Sequence, residues 1–248
     1  MSGTIYQAAA GALLQQMRLD MLSNNLANVN TSGFKSDQPI FRVYPGDTAT
    51  PAAATTEPGR ISPYAPPMEA RTNYDNGPLT RTGNSLDVAI VGKGFFEIQT
   101  PDGSRFTRKG NFTINADGVL ATAEGWPVMG DGGEIAIDEG RVEIGDQGEV
   151  LVDGDSVAKI RVVDFPEPYN LEKTGDTLFK PAQGVEGQAV GEGDCQVSQG
   201  YLEASNVDAI RTMTEVIETM RVFEAYQRII RTADDATAKT VNEVGRSA

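Results

Sequence analysis

Between Ser205 and Gly245 the chain has neither glycine nor proline. With nothing to break it, this stretch specifies one uninterrupted helix of about 60 Å at about 1.5 Å per residue, longer than a small domain is wide. Ser205 reads as the N-cap, with Asp208 three residues on in a capping-box-like arrangement. Ile210, Met213, Ile217, Met220, Phe223, Ile230 and Ala233 then recur at spacings of three, four or seven, laying one apolar stripe along the helix. The polar face offers Asp208 with Arg211, Glu218 with Arg221, Glu224 with Arg228 and Asp235 with Lys239 as ion pairs at i,i+3 or i,i+4.

A shorter counterpart opens the chain. Ile5, Ala12, Leu19 and Leu26 occupy one heptad position over residues 5–29, and Ala8, Gln15, Leu22 and Val29 the other. The helix ends in "LSNNLANVNTSGFK", residues 22–35. Asn28 and Asn30 tolerate turn conformations, Gly33 supplies a position where positive φ costs nothing, and Phe34 can fold back as an apolar anchor. The stretch stops a helix and turns the chain at a fixed angle.

The middle is different. Residues 45–67 hold six of the 13 prolines and little apolar material, which describes an extended connector. From Asn76 to Gln199 short β-branched runs alternate with turn chemistry: "LDVAIVGKGFFEIQT", "PDG", "RFTRKGNFTI", "NADG", "EIAI", "RVEIG", "EVLVDGDSVAKIRVVDF" and "DTLFK". The fold class is therefore α+β: long N- and C-terminal helices pairing as a coiled coil around an inserted all-β domain of short hairpins. The expected division is 1–35 helix and turn, 36–75 connector, 76–199 β-domain and 200–248 helix.

Charge and composition exclude several functions. Residues 1–35 hold two basic residues against one acidic, and residues 205–248 six against seven, so the middle carries the whole formal charge of −14. Nucleic acid and anionic membranes both call for clustered Lys and Arg, whereas this chain has only 21 basic residues against 35 acidic ones. Nothing is apolar over the roughly 18 residues a membrane span needs. The Ala-rich start lacks the basic segment of a cleavable signal. With Cys195 alone and no histidine, neither a disulfide within the chain nor a zinc site is expected.

Chemical motifs fail on inspection. "GKGFFE" has glycines at 92 and 94 but Glu97 in the third place and a strand after it, so a turn or bulge is the better reading than a dinucleotide site. "DGDS" at 153–156 begins like a calcium loop, but Ala158 occupies the glycine position and Asp164 the glutamate position, which leaves a hairpin turn. Cys195 has no histidine to serve as its base, and no pair among the 35 acidic residues stands out as a catalytic couple. No cofactor and no enzyme activity are expected.

The helices together approach 70 residues, while a body of about 120 residues has a radius of gyration near 14 Å. Much of their apolar stripe must find cover on neighbouring copies, and a head-to-tail contact that does not close gives a helical filament. The alternative is a secreted β-domain that binds a ligand and is dimerised by its helices.

"SNNLANVNTSGFK", the segment 82–130 running from "TGNSLDVAIVGKGFF" to "GWPVMG", and "QGYLEASNVDAIRTMTEVIETMRVFEAYQRIIRTADD" resemble, in order, the three signatures of the bacterial flagellar axial proteins, the rod and hook family. The size is close to that of the rod subunits and too small for most hook proteins, and the "GWPVMGDGGEIAI" segment is similar to the proximal rod subunit, with the distal rod subunit or another hook-basal-body axial protein as the alternative. Ser85 stands where many relatives have proline, and Tyr226 where asparagine is common. The resemblance implies terminal helices paired in an inner tube and a β-domain outside. It also implies export by the flagellar type III apparatus without a cleaved signal, a position in the periplasmic rod, and partners that are copies of itself and other rod proteins. By the same resemblance Asn24, Asn25, Leu26, Ala27, Asn28, Gly33 and Phe34 belong to the N-terminal assembly signature, and Ser205, Asn206, Val207, Arg221, Glu224 and Ala225 to the C-terminal one. Ile5, Leu19, Leu22, Ile210, Met213, Ile217, Met220, Phe223 and Ile230 are the expected apolar contacts between subunits.

Overall fold

The structure, a computed structural model, describes residues 2–41, 68–137, 140–191, 193 and 195–246. The chain is α+β, with helices α1 (Ser2–Ala27) and α2 (Ala209–Arg246) at its ends and short strands between them. It forms two compact units. One holds both helices and an antiparallel pair of strands, Asp37–Phe41 and Met68–Thr72. The other holds residues 28–36 and 74–207. The proline-rich segment 45–67 lies outside the described residues.

In the helical unit α1 and α2 pack on one another. Their contact comes close enough that a Cβ on Gly11 would sit 2.6 Å from the Tyr226 ring. The less exposed positions of α2 include Thr212, Thr219, Phe223, Tyr226, Ile230 and Ala233, a heptad-like seam. This divides the apolar stripe read from the sequence. Phe223, Ile230 and Ala233 lie on the shielded seam, whereas Ile210, Met213, Ile217 and Met220 lie roughly a third of a turn away at 100° per residue.

Two local expectations need correction. Asp208, not Ser205, caps α2: its Oδ1 accepts from the Arg211 amide at 3.1 Å. Ser205 is 5% exposed within the β unit, and its hydroxyl accepts from the Val207 amide at 3.3 Å, a local turn that occupies the oxygen a cap would use. With Asp208 engaged at the helix start, Arg211 pairs with Glu215 at 3.0 Å. Glu224 and Arg228 approach to 3.8 Å, while the Glu218–Arg221 and Asp235–Lys239 pairs do not close among the described residues.

The β unit is built as its turns dictate. An antiparallel six-stranded sheet runs in the order Leu171–Gly175, Leu178–Pro181, Gly103–Thr107, Phe95–Thr100, Val162–Asp164, Gln188–Ala189. A three-stranded meander, Val142–Ile144, Glu149–Val152 and Asp155–Lys159, turns at Asp153 and Gly154 with φ of 53° and 97°, the hairpin that "DGDS" specifies. Gly92 and Gly94, at φ 109° and 107°, turn the chain from the strand Val88–Gly92 into Phe95–Thr100, which lies in a different sheet. "EIAI" does not make a full strand; it contributes the end of Gly133–Glu134 and a single bridge from Ala136 to Val119. The larger core gathers Val88, Ile90, Phe96, Ile98, Phe112 and Leu120 with their neighbours, and Trp126 packs against it. A smaller aromatic core holds Phe95, Phe106, Phe165 and Phe179 under Tyr74 and Tyr169.

Candidate functional site

The turn after α1, with Asn28, Asn30 and Gly33, is held by the β unit. Thr31 and Phe34 close it locally, their amides donating to the Asn28 and Thr31 carbonyls at 3.1 and 3.3 Å. Gly33 has φ 69°, and its amide donates to the Glu203 carbonyl at 2.7 Å. A Cβ there would lie 2.6 Å from the Arg108 carbonyl carbon and would also strike the Lys109 amide. Both the sign of φ and the closeness of backbone demand glycine. Phe34 is 8% exposed and carries the Lys173 ammonium 4.6 Å from its ring centroid, and the same ammonium donates to the Lys35 carbonyl at 2.6 Å.

Asn206 binds the next residues. Its amide nitrogen donates to the Asp75 carbonyl at 3.0 Å, its Oδ1 accepts from the Ser36 amide at 2.7 Å, and its backbone amide donates to the Phe34 carbonyl at 3.3 Å. The residues that follow α1 and those that precede α2 are thus laced side by side on one surface of the β unit.

Beneath them lies a buried charge cluster. Lys35, Glu203 and Arg108 have side chains 1%, 1% and 3% exposed. Lys35 Nζ donates to Glu203 Oε1 at 2.6 Å and to the Asp75 carbonyl at 2.8 Å. Arg108 donates to Glu203 Oε2 at 3.2 Å and to the carbonyls of Ile90 and Gly92 at 3.3 and 2.7 Å. The Gly77 amide completes the carboxylate at 2.9 Å. Two cations therefore share one anion, and the carbonyls of Asp75, Ile90 and Gly92 each take a further hydrogen from them; Arg108 Nε has no hydrogen-bond partner among the described residues. Burial pulls the Lys35 ammonium below its ordinary pKa, and the charge and hydrogen bond of Glu203 only partly restore it. Such a cluster stabilises only while complete, since each ion has been taken out of water.

In the helical unit Asn25 is 5% exposed and clamps the first strand residue from both sides. Its Nδ2 donates to the Asp37 carbonyl at 2.8 Å, and its Oδ1 accepts from the Asp37 amide at 2.9 Å. Leu22 is buried; Ile5, Leu19, Leu26, Phe223 and Ile230 are half-buried. Asn24, Ala27, Arg221, Glu224 and Ala225 face solvent. Ile210, Met213, Ile217 and Met220 are 80%, 50%, 53% and 49% exposed, and Tyr6, Leu13 and Met17 of α1 are exposed too. Within the β unit Asn28 and Val207 are half-buried, while Gly33, Phe34, Ser205 and Asn206 join the docked turn just described.

Reading the sequence did not select Lys35, Arg108, Glu203 or Lys173. The one available signal is Lys35 itself, which closes the "NTSGFK" turn directly after a buried anchor. Arg108 and Glu203 sit in strand-like contexts, "FTRKGN" and "GYLEAS", where a charged residue ordinarily faces water, and only their tertiary encounter reveals them.

The chain is similar to known proteins along its whole length. The family model for flagella basal body rod proteins matches residues 5–35, that for the flagellar hook protein FlgE/F/G D1 domain residues 89–152, and that for the C-terminal part of flagellar basal body rod FlgEFG proteins residues 198–243. A flagellar basal-body rod protein FlgF of Caulobacter vibrioides is 34% identical over 99% of both chains. A flagellar basal-body rod protein FlgG of Agrobacterium fabrum is 33% identical over 92% of this chain and 94% of its own. The flagellar hook-basal body complex protein FlhO of Bacillus subtilis is 31% identical over 98% of both.

Proposed function

The chain belongs to the flagellar basal-body rod family, and on that premise we propose that its terminal helices join it to neighbouring subunits in a helical shaft that carries torque across the periplasm. It is a structural rod subunit of FlgF-like kind. In this reading α1 and α2 pair as a coiled coil and form the inner tube, the proline-rich stretch within 36–75 is the connector, and the β unit, to which residues 28–36 and 200–207 belong, is the outer layer. Partners are copies of the chain and other rod proteins, and delivery is by the flagellar type III apparatus without a cleaved signal. The terminal segments order fully only at the growing end, where burial on neighbours offsets the ordering entropy.

One observation carries this: α1 and α2 pack together and still leave Ile210, Met213, Ile217 and Met220 about half exposed or more. The helices are also unequal. At 26 and 38 residues they measure about 39 and 57 Å, so roughly 18 Å of α2 outreaches α1. Covering each exposed apolar side chain on a neighbour is worth on the order of 1 kcal/mol, about half the value of full burial.

The test is Met220→Asp. Because Met220 is 49% exposed, the substitution leaves the folding of the β unit untouched, and the chain is exported but missing from purified basal bodies. Leu19→Asp, on the half-buried seam, gives the same loss. A motile strain with normal basal-body content of either variant would overturn the proposal.

A further inference from the structure

The β unit has an open groove of about 600 Å³ that the turn-docking site does not use. One wall is the loop Gly83–Ser85, the other the strand Val142–Ile144, and Arg81, Arg141, Gln199 and Tyr201 line it. Its walls are pinned in place. Gln199 Nε2 donates to the Ser85 carbonyl at 2.8 Å and to the Val142 carbonyl at 3.1 Å, tying one wall to the other. The amides of Thr82 and Gly83 both donate to the Gly200 carbonyl, at 2.8 and 3.2 Å.

The groove sets two arginines, Arg81 and Arg141, against one carboxylate, Glu143, on a unit whose formal charge is −12. Arg81 is exposed and has no partner among the described residues. Arg141 is 82% exposed and shares only its Nε with Glu143, at 3.2 Å. Among the described cations of the β unit, only Lys180 is otherwise left without an ion pair, hydrogen bond or ring contact. The opposite feature exists on the same chain. The hairpin joining Met129–Gly130 to Gly133–Glu134 exposes Asp131 and Glu134, neither with a side-chain partner among the described residues. Nothing comes within 4 Å of where a Cβ on Gly132 or Gly133 would sit, so the tip stands free.

We infer that the groove is a socket for a second copy of this chain, and that its occupant is that copy's hairpin tip at 131–134, Asp131 and Glu134 meeting Arg81 and Arg141. Two acidic bodies repel one another over most approaches, and setting the two arginines of the groove against an acidic tip relieves that repulsion, so this pair fixes the register between copies. The contact is heterologous, of the kind that propagates instead of closing into a dimer. It rests on the reading of the chain as a rod subunit.

The experiment places the photo-crosslinking residue p-benzoyl-phenylalanine at Ser85 in the full chain, irradiates cells, purifies basal bodies and identifies the joined peptides by mass spectrometry. The expected product joins the groove to the peptide containing residues 131–134 of another copy. In parallel, Arg81→Glu lowers incorporation about tenfold, the scale of roughly 1.4 kcal/mol, with unchanged thermal midpoint, and Glu134→Arg in the same chain restores it. Crosslinks to any other peptide, to another protein or to a glycan, or none from incorporated chains, overturn the socket and leave the rod reading standing. Absence of the unsubstituted chain from basal bodies overturns the rod reading itself.

Discussion

Replacing Glu203 costs the β unit more than replacing Lys35, although the two form one ion pair. Lys35→Met keeps most of the side-chain volume and removes one cation; Glu203 then still has Arg108 at 3.2 Å and the Gly77 amide at 2.9 Å. Removing one partner of a buried pair costs about 3–5 kcal/mol, and with the carboxylate still paired the lower value, about 3 kcal/mol, applies. Glu203→Gln leaves Lys35 and Arg108 buried at 1% and 3% exposure with no anion between them, so about 5 kcal/mol is expected. At roughly 3 °C per kcal/mol for a unit of this size, the melting temperature falls by about 10 and 15 °C. The double variant recovers about 1–3 kcal/mol of the summed loss, because it buries one unpaired cation instead of two. Urea unfolding followed by the fluorescence of Trp126, the only tryptophan and packed on the larger core, measures all three. A Lys35→Met variant within about 0.5 kcal/mol of the parent, or a Glu203→Gln variant milder than Lys35→Met, refutes a cooperative cluster and makes it a desolvated ornament.

Gly33→Ala should cost about 2–4 kcal/mol, since it meets both a φ of 69° and backbone 2.6 Å away; a midpoint shift below about 0.5 kcal/mol in urea unfolding would contradict the docked turn. Limited proteolysis of the dilute chain should leave a resistant core beginning near Asn28, because residues 28–36 belong to the β unit; a core beginning after Lys35 would mean the turn docks only on assembly. Tyr169, whose phenol is pushed up to about 12 by burial and by donating to Asp164 at 2.9 Å, supplies a pH signature. The unfolded phenol ionises near its ordinary 10.0, so this contribution is complete below that pH and is lost as the pH rises to about 12. Tyr169→Phe should therefore flatten the stability curve across that window, and parallel curves for parent and variant would refute the assignment.

Much of the architecture was legible because helices and hairpins answer to local rules. A run without glycine or proline between Ser205 and Gly245 yields a helix, and "DGDS" yields its hairpin, because propensity and turn chemistry act over a few residues. Gly33 was legible for the same reason: a left-handed position leaves a glycine as its mark. The placement of Ile210, Met213, Ile217 and Met220 was not. Periodicity reports that a face is apolar, and only the packing of α1 on α2 decides that Thr212, Thr219 and Phe223 take the shielded side while that stripe stays open.

The helix cap moved from Ser205 to Asp208 because the Ser205 hydroxyl is taken by the Val207 amide and Ser205 is buried in the β unit, a burial that the sequence around the helix start does not reveal. The buried cluster shows the limit most plainly. Lys35 and Glu203 are 168 positions apart and meet at 2.6 Å. By itself the sequence determined the helices, the hairpins and the turn that joins them to the β unit, since those depend on neighbours along the chain. The tertiary structure alone decided which charges leave water and which apolar faces remain for other molecules, since desolvation is a property of what surrounds a side chain in space.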